Sequence, residues 1–338
     1  MSVNRTTVVG IVVLNAVVAA AQTLGDCTIR TIAGPAITDA GDGGPAEAAQ
    51  LLNPSGAASD SAGNIYIADS GNQKIRKISP DGIITTFAGI GLVGSGENGG
   101  PASSAALSWP SGPAVGPDGS IYFVERTNHR VRRIAGDGMI RTVAGTGVGG
   151  FSGDGGPATA ADLFIPLAVA VDAAGDLFIA DYGNHRVRRV DAETGIITTL
   201  AGSDPFGGFT DVLADGSKAT SVPLLAQGLA LDASGNLLVA SHDAIVKITA
   251  DGIFHVVAGT RDGFGRPLDG ARALSTAVPA DTLAIDSSGT IYFSGSNNVD
   301  SGIWSIGTDG IIHPVVPYTV ATSLATFRRK IEWSSSLA

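Results

Sequence analysis

The chain has 338 residues, of which 44% are hydrophobic and 15% charged, and a formal net charge of −10. That composition excludes a disordered polyelectrolyte and supplies enough apolar material for a large core. The acidic balance also makes the chain a poor generic partner for phosphate backbones, so no nucleic-acid partner is expected.

In chain order, the first element is an apolar run from Val8 to Ala21 that follows the lone basic residue Arg5 and ends in Ala19-Ala20-Ala21. A bilayer span takes about 20 apolar residues, and this run is shorter. Small residues at its end suit signal-peptidase cleavage before Gln22. Residues 1–21 are therefore expected to be a cleaved export signal, with an uncleaved anchor as the alternative. The mature chain is then secreted or periplasmic, with no stable membrane insertion. Cys27 lacks a lipobox, because Leu24-Gly25-Asp26 precede it, and it is the chain's single cysteine. It has no intrachain disulfide partner.

A repeat organises the rest. IYIADSGNQKIRKI (65–78), IYFVERTNHRVRRI (121–134) and LFIADYGNHRVRRV (177–190) share fourteen positions, and LLVASHDAIVKI (237–248) and IYFSGSNNVDSGIWSI (291–306) are diverged copies. Each lies in a longer unit closed by a strand ending in Ala-Gly, at Gly34, Gly89, Gly145, Gly202 and Gly259, so the period is 55–57 residues. Runs of Val, Ile, Leu, Phe and Tyr predict four short strands per unit. Glycines at Gly63, Gly119, Gly175, Gly235 and Gly289 mark the first hairpin. Asp-Gly pairs at Asp81-Gly82, Asp137-Gly138, Asp251-Gly252 and Asp309-Gly310 mark the second and favour type I′ turns.

Four antiparallel strands at this period predict an all-β chain whose sheets pack radially as the blades of a β-propeller. The pattern P-x-G-x-A-x-D, G-N-x-Y-x-A-D, G-N-H-R-V-R-R and G-x-I-x-T-x-A-G resembles the NHL repeat. The Gly-Asp-Gly-Gly-Pro-Ala linkers at 41–46 and 153–158 are similar to those of bacterial and teneurin-type NHL propellers. Residues 22–317 form the expected propeller. Five complete four-stranded units are visible, while Thr28 to Gly34 matches only the last strand of an incomplete sixth. Residues 318–338 are a tail without clear strands. An open ring would leave an edge that oligomerisation can cover.

Strand direction brings the inter-unit linkers and the loops between second and third strands to one end. The resemblance implies that this is the ligand face. Candidate ligand-binding residues there are Asp69, Asn72, Glu125, Asn128, His129, Asp181, Tyr182, Asn184 and His185. Trp109, Phe151 and Phe206 are further candidate contacts, because aromatic anchors dominate binding energy.

The histidines repeat with the fold and share their position with Gln73, which favours a structural role over metal ligation. The arginine-rich third strands are read as solvent-facing and as guards against edge pairing. The glycine-rich linkers lack the lysine and Ser/Thr of a P-loop and are read as turns. Their alternative is calcium, or another divalent cation, on Asp42 and Asp154, whose oxygens are hard ligands. Otherwise no cofactor is expected.

Enzymatic propellers that this architecture resembles hold a metal in the central channel. The matching positions here are Ser55, Ser111, Leu167, Gln227 and Asp281, of which Asp281 alone is a carboxylate. A non-enzymatic binding propeller that recognises a protein, peptide or glycan is thus the first expectation, and a metal-assisted lyase or lactonase the alternative.

Overall fold

The computed structural model describes residues 41–96, 98–203, 215–241, 244–260, 267–297 and 300–316. The export signal, Cys27, the strand expected at 28–34, Phe206, His242 and the tail at 318–338 lie outside them.

The described chain is all-β, with five antiparallel four-stranded sheets arranged as propeller blades. Blade 1 comprises β1 (Pro54–Ser59), β2 (Ile65–Asp69), β3 (Lys74–Ile78) and β4 (Ile84–Ala88). Blade 2 comprises β5 (Pro110–Val115), β6 (Ile121–Glu125), β7 (Arg130–Ile134) and β8 (Ile140–Ala144). Blade 3 is built from β9 (Ala168–Val171), β10 (Leu177–Asp181), β11 (Arg186–Val190) and β12 (Ile197–Ala201). In blade 4 the strands are β13 (Ala226–Leu231), β14 (Leu237–Ser241), β15 (Ala244–Ile248) and β16 (Phe254–Gly259). Blade 5 has β17 (Thr282–Ile285), β18 (Ile291–Asn297), β19 (Asp300–Ile306) and β20 (Ile312–Val316).

Both faces of an inner blade are buried, which explains why its strands are apolar on alternate and on consecutive positions. Between blades 1 and 2, Tyr66, Ala68, Ile75 and Ala88 meet Ile121, Phe123, Ile134 and Ile140, with Ala102, Ala105 and Leu107 of the linker wedged between them. The same three-part layer recurs between blades 4 and 5, where Phe293 and Trp304 fill the space. Innermost strands pack in the order β1, β5, β9, β13 and β17. Among the described residues no comparable packing joins β17 to β1, and both of these strands are half-buried throughout.

Two turn features differ from the sequence reading. Of the Asp-Gly pairs only the glycines have positive φ, such as Gly82 at +80° and Gly138 at +73°. The Gly82 N–H donates to the Ser79 carbonyl at 2.8 Å, and the Ser79 N–H to the Ile83 carbonyl at 2.9 Å. This is a type I turn followed by a left-handed glycine, the three-residue hairpin, and not type I′. The glycine-rich linkers also do not stay on the loop face. Gly43 and Ala46 donate to Ile84 and Gly82, and Gly155 and Ala158 to Ile197 and Gly195. Each linker thus runs along the outermost strand of the following blade and covers its free edge.

The centre is tight. Gly112 on β5 has φ +50°, and a Cβ there would lie 2.5 Å from the Ala168 Cα and 2.7 Å from the Leu167 carbonyl oxygen of the next blade. Gly119 has φ +77° with open space around it. Gly112→Ala is therefore expected to destabilise by about 1–3 kcal/mol of overpacking beyond the backbone strain that Gly119→Ala shares. Thermal melts of both variants check this, and equal melting temperatures would count against the close approach.

Candidate binding face

The loops between second and third strands carry nearly all the candidate ligand residues, and the structure brings them to one face. Their carboxylates point inward. Asp69, Glu125 and Asp181 are fully buried, and each accepts a hydrogen bond from a backbone N–H of the segment entering the blade: Leu52 at 2.7 Å, Ser108 at 3.0 Å and Phe164 at 2.7 Å. Asn72, Asn128 and Asn184 close the loop by donating to the same carboxylates. The second partner of each carboxylate is an arginine from the third strand, with Arg76 3.3 Å from Asp69, Arg132 3.0 Å from Glu125 and Arg188 3.5 Å from Asp181.

These three arginine side chains are 0% exposed, which corrects the solvent-facing reading of the basic strands. Residues 76, 132 and 188 share a face with Ile78, Ile134 and Val190, and that face lies under the linker. The neighbouring arginines are neutralised as well: Arg133 pairs with Asp118 at 2.5 Å, Arg189 with Asp176, and Arg130 with Glu125 at 2.6 Å. No row of free guanidinium groups remains on these strands.

The linker carboxylates join the same network. Asp42 accepts from Arg76 at 2.6 Å and from the Thr86 hydroxyl at 2.6 Å, and Asp154 accepts from Arg188 at 2.7 Å and Thr199 at 2.6 Å. Burial raises the pKa of Asp42, but the Thr86 and Arg76 bonds outweigh it and hold the carboxyl below its usual value. Both oxygens of each carboxylate face donors. Among the described residues no three His, Cys, Asp or Glu side chains cluster as a metal site.

Gln73, His129 and His185 are all left-handed, at φ +56°, +49° and +55°, and cap the short turn before the third strand. The Gln73 Oε1 accepts the Trp109 N–H at 2.6 Å, and the His129 Nδ1 accepts the Ile165 N–H at 3.1 Å. Trp109 and Ile165 are themselves left-handed, both at φ +48°, an unusual conformation for bulky residues. Glutamine and histidine interchange here because each offers one acceptor to the strained peptide of the next blade. Burial lowers the pKa of His129, consistent with a neutral ring protonated on Nε2.

At the centre, Ser111 donates to the Leu167 carbonyl at 3.0 Å, and Ser55 bonds Ser70, which donates to the Pro110 carbonyl at 2.6 Å. These hydroxyls stitch adjacent innermost strands together. Gln227 and Asp281 are half-buried on β13 and just before β17.

Large apolar side chains are also exposed on this face. Ile90, Leu92, Val93, Trp109, Val148, Phe151 and Phe164 are all exposed, and the Arg186 guanidinium stacks on Phe151 at 4.0 Å. A pocket of about 540 Å³ opens between blades 2 and 3, lined by Trp109, Arg126, Thr127, His129, Phe164 and Ile165. Tyr182 sits at the position of blade 3 equivalent to Arg126. Sequence reasoning missed Arg126 and Phe164. The available signal was the break from Asp-x-Gly-Asn in blades 1 and 3 to Glu-Arg-Thr-Asn in blade 2.

Residues 33–97 match the teneurin NHL domain, and residues 165–190 match the NHL repeat. The chain is a β-propeller with sequence similarity to NHL repeats. Teneurin-m of Drosophila melanogaster is 30% identical over 179 residues, which is 50% of this chain and 6% of that protein. The chain thus matches only a small part of its teneurin relatives' length. An auxiliary nutrient binding protein from Bacteroides thetaiotaomicron aligns over 85% of this chain and 63% of its own, with a TM-score of 0.56 at 13% identity. A gluconolactonase from Xanthomonas campestris aligns over 80% and 78%, with a TM-score of 0.52 at 17% identity. At these identities the two structures share the propeller fold described above, and nothing further follows from them.

The buried pairs make a sharp test. Arg188→Met strands the Asp181 carboxylate and is expected to cost about 3–5 kcal/mol, and adding Asp181→Asn should recover much of that loss in urea unfolding. Burial pushes Asp181 up to about 6, with Asn184, the Phe164 N–H and Arg188 pulling the other way. Its folded pKa exceeds the unfolded value near 3.8, so its contribution to stability is fully present below that value and is lost as pH rises through 6. Melting temperature against pH should accordingly be flatter between pH 4 and 7 in Asp181→Asn than in the wild type.

Proposed function

We propose that this propeller is a non-catalytic recognition module that binds a protein, peptide or glycan ligand on its loop-rich face. The observation that carries the reading is the concentration of exposed large apolar side chains on that one face, Leu92, Val93, Trp109, Val148, Phe151 and Phe164 among them. Contiguous apolar surface on a folded chain marks an interaction site. Asn72, Asn128, Asn184, Gln73 and His129 around it already serve the fold. That the matching relatives include teneurins supports an interaction role. A metal-assisted lyase or lactonase needs convergent ligands at the channel, whereas Ser55 and Ser111 are engaged in strand-to-strand bonds. The reading requires no cofactor.

Peptide and glycan arrays probed with the wild type and with Leu92→Ser/Val93→Ser/Val148→Ser/Phe151→Ser test the proposal. Ligands retained by the wild type are expected to be lost by the variant, with the melting temperature little changed because these side chains are exposed. Retention of every ligand by the variant would refute it. The apolar run at residues 8–21 further supports action outside the cytoplasm. Among the described residues no helix is long and apolar enough to cross a membrane. The mature protein recovered from an exporting host should begin at Gln22, and recovery of an intact N-terminus inside the cell would contradict export.

A further inference from the structure

The pocket between blades 2 and 3 differs from its counterparts in a way that selects a ligand. In blades 1 and 3 the second position of the loop between second and third strands is Gly71 or Gly183, where a Cβ would strike Leu52 or Phe164 at 2.5 Å. Those glycine N–H groups donate to the Leu52 and Phe164 carbonyls. Blade 2 has Thr127 instead, with its hydroxyl 2.5 Å from that of Ser108. The loop bond to the entering segment moves by one residue, so that the Arg126 N–H donates to the Trp109 carbonyl at 3.3 Å. Glu125, one methylene longer than Asp69 and Asp181, still reaches Ser108, Arg130 and Arg132 across the altered loop. The result is a place for Arg126 at the pocket wall.

Arg126 is half-buried, and its guanidinium has no hydrogen bond or ion pair with a side chain among the described residues. Burial lowers its pKa, with only Tyr182 acting against that. The rest of the lining contains no carboxylate, although the protein carries a net charge of −10. The ring of Phe164 lies 5.5 Å from that of His129, whose Nδ1 is occupied by the Ile165 N–H. Arg126 is thus the pocket's one formal charge, set among Trp109, Phe164 and Ile165. A volume of about 540 Å³ falls within the roughly 300–1,000 Å³ of ligand pockets.

Resting on the recognition reading above, we infer that this pocket captures the C-terminal residue of a peptide whose last side chain is apolar or aromatic. Arg126 pairs with the terminal carboxylate in the two-pronged geometry that guanidinium groups favour. Trp109, Phe164 and Ile165 cover the side chain. An acidic sugar shares the carboxylate but carries several hydroxyls, and a wall whose polar side chains are Arg126, Thr127 and His129, with the Thr127 hydroxyl and the His129 Nδ1 already bonded, offers them few partners.

Calorimetric titration of the full mature chain with N-acetyl-Gly-Phe as free acid, with its C-terminal amide and with oligogalacturonate tests the assignment. The acid is expected to bind at least about tenfold more tightly than the amide, since a charge-assisted hydrogen bond is lost. Arg126→Met should remove that difference, Arg126→Lys should keep part of it, and Trp109→Ser should weaken both peptides. Equal binding of acid and amide by the wild type, tighter binding of oligogalacturonate, or no binding of the acid at millimolar concentration would each overturn it. The wild-type comparison stands even if a variant fails to fold. Array ligands lost on removing Leu92 and its neighbours but indifferent to Arg126→Met would sink only the pocket, and leave the recognition face intact.

Discussion

The buried ion pair between the third-strand arginine and the carboxylate ending the second strand is the constraint on which the described blades 1 to 3 depend. Arg76 with Asp69, Arg132 with Glu125 and Arg188 with Asp181 each sit where four chain segments meet. The carboxylate fixes the incoming backbone at Leu52, Ser108 or Phe164, and in blades 1 and 3 the arginine reaches out to Asp42 or Asp154 on the linker. Taking such charges out of water is costly, and their value lies less in net stability than in admitting a single geometry. A linker displaced by one residue would part Asp42 from Arg76 and Asp154 from Arg188. The interaction therefore sets the register of linker against blade as firmly as the apolar layer sets blade against blade.

From that constraint follows a division of labour on the loop face. The conspicuous polar residues are held in the framework: Asn72, Asn128 and Asn184 donate to carboxylates, and Gln73 and His129 accept from strained peptides of the next blade. A side chain so engaged gives up little to a ligand. Apolar residues such as Val148 and Phe151 have no such duty, and vary from blade to blade.

The period, the four strands per unit and the shared face of the loops were legible in the spacing, because turn glycines and apolar runs report local geometry directly. The burial of the arginines was not. The three arginines of Arg186-Val187-Arg188-Arg189-Val190 suggest exposure to water, yet a propeller blade is covered on both sides, so residue type alone does not show that Arg188 is buried. The Asp-Gly turns misled for a related reason: the pair suits type I′, but the aspartates keep negative φ and only the glycines turn left-handed. Residue type alone does not separate two hairpins that differ by one residue in loop length.

A repeat protein hides its recognition sites among recurring residues, and departures from the repeat are the better guide. His129 and His185 recur with the fold, and the His129 Nδ1 is committed to the Ile165 N–H. Arg126 and Thr127 do not recur, since Ser70-Gly71 and Tyr182-Gly183 stand in their place. A tandem copy free of other demands would keep the glycine, which lets the loop lie flat against the entering strand. Retaining Thr127 obliges the chain to move a backbone hydrogen bond and to lengthen the buried carboxylate to Glu125. Those paired changes only make sense together, and what they jointly produce is an arginine without a counter-ion among the described residues, beside two exposed aromatic rings.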